Sequence, residues 1–253
     1  MIPGTLVTGT GAPVTVVAHG LGASLAETRP LAGGVAGTRV FSPAIGHGAT
    51  PLGDLPVDYA LLAADLAAVL DAHGATQLLG VSMGAAAALR LLTTNPHRLQ
   101  RAVLLLPPTL DGLASPRPRA AALRLADAIE SADAAVIEAE LTGDLPADLR
   151  DLPAARHYVA SRARFLAGSP GVAGVLRGLA GSVAVPDLSA LRAVGADVLV
   201  VGQEGDPLHP ARAARELAAT LPRARLVVFD EPGMALRHAP RLRALVGGFL
   251  SGG

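Results

Sequence analysis

The chain has 253 residues, 51% of them apolar, enough for one large domain with a substantial core and too apolar for disorder. Its 21 basic and 21 acidic side chains cancel, so no net field recruits nucleic acid or an anionic membrane. With no cysteine, disulfides, thiol catalysis and thiolate metal sites are excluded together, and the seven scattered histidines lack the paired spacing of a zinc site.

Taken in chain order, the first twenty residues, MIPGTLVTGTGAPVTVVAHG, carry no basic segment ahead of an apolar run and meet glycine and proline early. No signal peptide is expected there. Elsewhere Asp, His, Gly or Arg interrupts every apolar stretch before about 18 residues accumulate, so no membrane span is expected and the cytoplasm is the expected location. Gly9-Thr10-Gly11 precedes a strand instead of joining a strand to a helix, which rules it out as a nucleotide loop. Six short apolar runs predict buried strands: VTVVA (14–18), RVF (39–41), QLLGV (77–81), AVLLL (102–106), DVLVV (197–201) and RLVVF (225–229). Between them, 57–74 predicts a helix capped by Asp58 and stopped by Gly74, and helices are also expected over 83–94, 210–221 and 234–250. Such alternation builds an α/β fold, a mostly parallel, doubly wound sheet covered on both faces.

One interval departs from the rhythm. From Pro107 to Ala196, about 90 residues pass with amphipathic helical patterns and no strand, where a crossover needs only about a dozen. The expected organisation is a core formed by 1–106 and 197–253, with 107–196 as a helical lid at the carboxyl edge of the sheet, where ligands bind in such folds.

The residues that carry chemistry begin at Gly80-Val81-Ser82-Met83-Gly84, a G-x-S-x-G between a predicted strand and a predicted helix. A sharp strand-to-helix turn forces its serine into a strained conformation, and flanking glycines remove the Cβ atoms that would collide. The hydroxyl then stands above the sheet, beside the free N–H groups of a helix start. Earlier in the chain, His19-Gly20-Leu21-Gly22 follows the first strong strand, and SPAIGHGATP (42–51) follows the second.

Together these segments resemble the α/β-hydrolase fold family, and the resemblance extends over most of the chain. His19-Gly20-Leu21-Gly22 is similar to the family's oxyanion loop, and 42–51 to its G-H-G loop, without the acidic and basic residues usual before it. The resemblance implies that Ser82 is the nucleophile, that the N–H groups of Leu21 and Met83 bind the oxyanion, and that 107–196 is the lid. His19 and His47 read as loop-supporting or pocket-wall residues, and His19, Gly20 and Met234 are the substrate-pocket candidates.

In this fold the partners follow in the order serine, acid, histidine. DVLVVGQEGDPLHP delivers Asp206 after the 197–201 strand, similar to the family's G-x-x-D-P segment, with Glu204 in reserve and helix capping as the structural alternative. Two histidines lie downstream of Asp206. His209 shares the acid's loop and reads as a helix-start residue before Pro210, whereas the base is expected after the next strand. There the family's G-H pair is replaced by Gly233-Met234, and methionine takes no proton from a serine. His238 is the expected substitute, although in a continuous helix it would sit about 6 Å farther along the axis. The leading expectation is therefore a cofactor-free, metal-free serine hydrolase of a small to medium apolar acyl compound: an ester, thioester, lactone or C–C bond. The alternative is an atypical member of the fold, binding a small molecule or running lyase-type chemistry because Met234 stands where a base should. Either way the partner is a small-molecule substrate, and the sequence sets no oligomeric state.

Overall fold

The computed structural model describes residues 4–48, 50–53, 56–109 and 116–252. In chain order it contains β1 (Leu6–Thr8), β2 (Val14–Ala18), α1 (Leu25–Thr28), β3 (Thr38–Phe41), α2 (Tyr59–Ala72), β4 (Gln77–Val81), α3 (Met83–Thr94) and β5 (Arg101–Leu105). A run of helices follows: α4 (Pro116–Glu130), α5 (Ala134–Asp144), α6 (Ala147–Arg150), α7 (Pro153–Ala167) and α8 (Gly171–Leu179). The chain then returns to the sheet with β6 (Asp197–Gln203), α9 (Ala211–Thr220) and β7 (Ala224–Phe229), and closes with α10 (Met234–Arg237) and α11 (Ala239–Ser251).

The seven strands form one sheet in the order β1-β3-β2-β4-β5-β6-β7. Every neighbouring pair is parallel except β1 with β3. Side chains alternate between the faces, as strand geometry requires. On β4, Leu78 joins Leu62, Leu66, Leu89 and Leu92 of α2 and α3, while Leu79 joins Phe229 and the α11 residues Leu242, Val246 and Leu250. Both faces are thus covered, and each fully buried leucine contributes about 1.5–3 kcal/mol relative to exposure. That explains why these strands read as continuous apolar runs.

Helix α2 starts where the sequence expects, with Asp58 Oδ1 accepting the Leu61 N–H at 2.7 Å, and Gly74 leaves at φ 57°. The described part of the 107–196 interval holds α4 to α8 and a 3₁₀ turn over Leu188–Ala193. These helices have a core of their own, including Ala126, Ile129, Ile137, Leu166 and Leu176, and Leu21 packs against both this cluster and the α2–α3 core. Two details differ from expectation. Strand β1 is an additional three-residue edge strand, and the single helix expected over 234–250 is broken at His238, which takes φ −123° between α10 and α11.

Candidate active site

Ser82 sits where β4 turns into α3, at φ 47° and ψ −105°, a backbone region that costs a non-glycine residue about 1–3 kcal/mol. The elbow depends on its glycines. A Cβ on Gly84 would overlap the Ala18 carbonyl, and one on Gly80 would lie 2.9 Å from backbone atoms of Gly84 and Ala85. Met83 is the first residue of α3, so its N–H has no carbonyl one turn back to bond. Gly20 comes against the serine from β2's exit, where an added Cβ would stand 3.6 Å from Ser82 Cβ.

The hydroxyl's partner is His209. Ser82 Oγ lies 2.8 Å from His209 Nε2, and His209 Nδ1 lies 3.2 Å from Asp206 Oδ2. An ionised carboxylate only accepts, so Nδ1–H donates to Asp206 and the Nε2 lone pair is left to accept the serine proton. The loop makes this possible by curling on itself: Asp206 Oδ1 accepts the backbone N–H groups of Leu208 and His209, each at 2.9 Å. This aspartate turn brings a residue three positions onward alongside the acid. The reach is also short. β6 is two strand spacings from β4, roughly 10 Å, whereas β7 is three.

Asp206 is fixed further by Gln203, the buried last residue of β6, whose Nε2 donates to Asp206 Oδ2 at 2.8 Å. Burial alone would raise the Asp206 carboxyl. The His209 side chain, by hydrogen bond and by charge, then the His209 backbone N–H and the Gln203 amide outweigh it and hold the group well below the ordinary carboxylate range. Gln203 Oε1 in turn accepts the Met234 N–H at 2.9 Å.

These positions correct two expectations. His238 does not meet Ser82: its Nε2 lies 3.0 Å from Glu231 Oε1, and its ring stacks on Phe229 with centroids 5.4 Å apart. The physical cause is the one-turn helix α10, which follows Gly233 and sets His238 at its far end, where the chain breaks before Pro240. His209, read from sequence as a helix-start residue, does precede α9 but also holds the serine hydroxyl. Glu204, the reserve acid, turns outward to pair with Arg215. Of the pocket candidates, Gly20 lines the serine, while His19 and Met234 are buried with 2% and 1% of their surface exposed.

The loop that carries Leu21 is bonded on nearly every side. His19 Nε2 accepts the Ala44 N–H at 2.9 Å, which leaves Nδ1–H to donate to Gly20 O at 2.8 Å. His47 Nε2 accepts the Gly22 N–H at 2.8 Å, with Nδ1–H on Ile45 O at 3.1 Å. The two rings lie 4.7 Å apart, centroid to centroid. Both must be neutral, because a second ring proton would face a backbone N–H. Burial lowers the His19 imidazole, with a smaller contribution from the Arg162 charge, and burial with its His19 neighbour pushes His47 down to about 3.

A pH dependence follows. Unfolded imidazoles bind protons as pH falls through about 6.5, whereas folded His47 stays neutral down to about 3 and the His19 imidazole is lowered as well. Between those limits the unfolded chain binds more protons, so stability is fully present above pH 6.5 and declines on acidification. The slope approaches about 1.4 kcal/mol per pH unit for each histidine. Urea unfolding at pH 7.5, 6 and 5 checks this, with the slope reduced in His47→Gln; equal stability from pH 7.5 to 5 would refute it.

Among the described residues, no group of three or more His, Asp or Glu is arranged to hold a metal, and no helix is long and apolar enough to cross a membrane. A family model described as the alpha/beta hydrolase fold matches residues 13–234. The chain belongs to the α/β-hydrolase fold family. Within it, the chain is 30% identical over 197 residues to a protein of Pseudomonas savastanoi pv. phaseolicola named "Putative carbamate hydrolase RutD", spanning 75% of this chain and 73% of that one. Among solved structures, the α/β hydrolase MGS-M2 from a Medee basin deep-sea metagenome library superposes with a TM-score of 0.80 at 15% identity, over 98% of this chain and 94% of its own. A thermophilic esterase from Thermogutta terrifontis gives 0.79 at 21% identity, over 98% and 92%. At those identities the two structures speak for the fold alone. In that fold the base usually follows the last strand, and here that place belongs to Met234, whose side chain packs in the core with Phe229 and Leu242.

Proposed function

We propose that the protein is a serine hydrolase of small to medium acyl compounds, with Ser82 as nucleophile, His209 as base and Asp206 as the acid that orients it. The observation that carries this reading is the 2.8 Å approach of Ser82 Oγ to His209 Nε2, backed by Asp206. Ser82 attacks the substrate carbonyl while Nε2 takes its proton, and Asp206 stabilises the resulting imidazolium. The N–H groups of Leu21 and Met83 receive the oxyanion. Collapse breaks the bond to the leaving group, which departs with the proton from His209. Water then gives a proton to His209, attacks the acyl-serine and releases the acid, and Ser82 recovers its proton. The helices of 107–196 act as the lid over this site, and the shortage of aromatic side chains, 2% of the chain, suits an aliphatic substrate. The relative named "Putative carbamate hydrolase RutD" makes carbamates a substrate class to assay beside esters.

The reading as a binding protein or lyase rested on Met234 standing where the base belongs. A histidine from the acid's own loop, in bonding distance of the serine, takes that ground away. A fluorophosphonate probe is expected to label the native protein at Ser82, with labelling abolished in Ser82→Ala and strongly slowed in His209→Ala. A folded native protein that takes no label overturns the proposal.

A further inference from the structure

We infer that Arg162, on α7 in the helical segment, is a positioning residue for the Leu21 N–H: it fixes the Leu21–Gly22 peptide, the plane next to the one that presents that N–H to the oxyanion. The inference rests on the serine hydrolase reading and deepens it. Two consecutive peptide planes flank Leu21. In the first, Gly20 O accepts from His19 Nδ1 at 2.8 Å and from the Ala23 N–H at 3.0 Å. A trans peptide aims its N–H opposite its carbonyl, so these two donors set the direction of the Leu21 N–H. In the second, Gly22 N–H donates to His47 Nε2 at 2.8 Å and Leu21 O accepts from Arg162 Nη2. With both planes held, φ and ψ of Leu21 have no freedom left.

Three of the four clamps come from the β2 and β3 loops. Only the Arg162 clamp comes from the helices between β5 and β6. Its guanidinium is itself held by Glu27 Oε2 at 3.3 Å and the Tyr158 hydroxyl at 2.6 Å, with 15% of the side chain exposed. Close approach explains why residue 22 is glycine: at φ 66°, an added Cβ would stand 3.1 Å from Leu166 and 3.3 Å from Arg162 Nη2. Without the guanidinium, the Leu21–Gly22 plane is held at one end and can tilt, shifting the Leu21 Cα that it shares with the plane of the Leu21 N–H. A donor displaced by about 1 Å can cost up to about 100-fold in rate, short of the 10²–10³-fold for deleting a donor outright.

The test compares Glu27→Gln with the double variant Glu27→Gln/Arg162→Met, so that no buried charge is orphaned in the second. Both are assayed with p-nitrophenyl butyrate, with thermal midpoints to verify folding. Glu27→Gln breaks the ion pair but leaves the guanidinium on Leu21 O, and its kcat should stay within about threefold of native. The double variant should lose about 10- to 100-fold in kcat with KM changed less than about threefold, and millimolar guanidinium ion should restore part of the loss. If the methionine variant does not fold, Arg162→Lys in the same background takes its place. That variant keeps charge and stem but not the forked donor, and its kcat should also fall. Equal kcat with and without the arginine overturns the inference while leaving the hydrolase intact. A native protein with neither turnover nor phosphonate labelling overturns the hydrolase reading itself.

Discussion

His209→Ala is expected to lower kcat on an activated ester by about 10⁴- to 10⁶-fold, while His238→Ala leaves it within about threefold. The contrast follows from what each ring touches. His209 Nε2 lies 2.8 Å from the Ser82 hydroxyl and its other nitrogen is on Asp206, so in the proposed mechanism its removal leaves Ser82 an unassisted alcohol. His238 bonds Glu231 and lies on Phe229, with 34% of its side chain exposed, so its loss removes one partly exposed hydrogen bond worth about 1 kcal/mol of stability. Steady-state kinetics on the two purified variants, each with a measured melting midpoint, checks both halves. Activity lost in His238→Ala and kept in His209→Ala would reverse the assignment.

The difference between the two histidines also shows where the sequence stops being legible. Strands β2, β4, β5 and β6 are readable because they lie inside the sheet, are mostly buried and so read as apolar runs, while β3 and the half-exposed edge strand β7 are readable from the runs RVF and RLVVF. β1 escapes notice because it is three half-exposed residues at the sheet edge, paired only with β3. The G-x-S-x-G elbow can be read for a steric reason, since two glycines must admit the Ala18 carbonyl and the α3 backbone. Asp206 can be read from its loop after β6. His209 cannot be read by the same rule, because the rule assigns acid and base to successive strand exits. What joins them here is a side-chain turn, the Asp206 carboxylate on two backbone N–H groups, and a helix-start reading accounts for the same residues. Gln203 gives even less signal: the apolar run ends at 201 while the strand continues two residues, and the amide that spans Asp206 and Met234 is the last of them. Met234 was legible as a departure from the family, but its consequence was not. The methionine side chain fills core and its N–H anchors Gln203, so the place left by the usual base has become part of the support for the acid.

That support makes Asp206→Asn the second severe substitution, with an expected loss of about 10⁴-fold in kcat and little change in KM. Every partner of Asp206 among the bonds described is a donor: the Leu208 and His209 N–H groups at Oδ1, and the Gln203 amide with His209 Nδ1 at Oδ2. An asparagine has one oxygen for these two positions. Placed at Oδ1, it keeps the turn, and its NH₂ then faces Gln203 and His209. Gln203 cannot rotate to offer its oxygen without releasing the Met234 N–H. His209 therefore yields, moving its proton to Nε2 so that Nδ1 accepts, and an Nε2–H facing Ser82 cannot take the serine proton. Placed at Oδ2 instead, the oxygen keeps the tautomer but turns the NH₂ onto two backbone donors and undoes the turn that carries His209. Both orientations disable the base by different routes, and they are separable. In the first, the imidazole ¹⁵N shifts of His209 at neutral pH report the proton on Nε2 while the fold is retained. In the second, stability falls by about 1–3 kcal/mol for the donors left unpaired. Native-like kcat in Asp206→Asn, with the protein folded, would remove Asp206 from the mechanism, and would leave the loop's aspartate turn as a structural device alone.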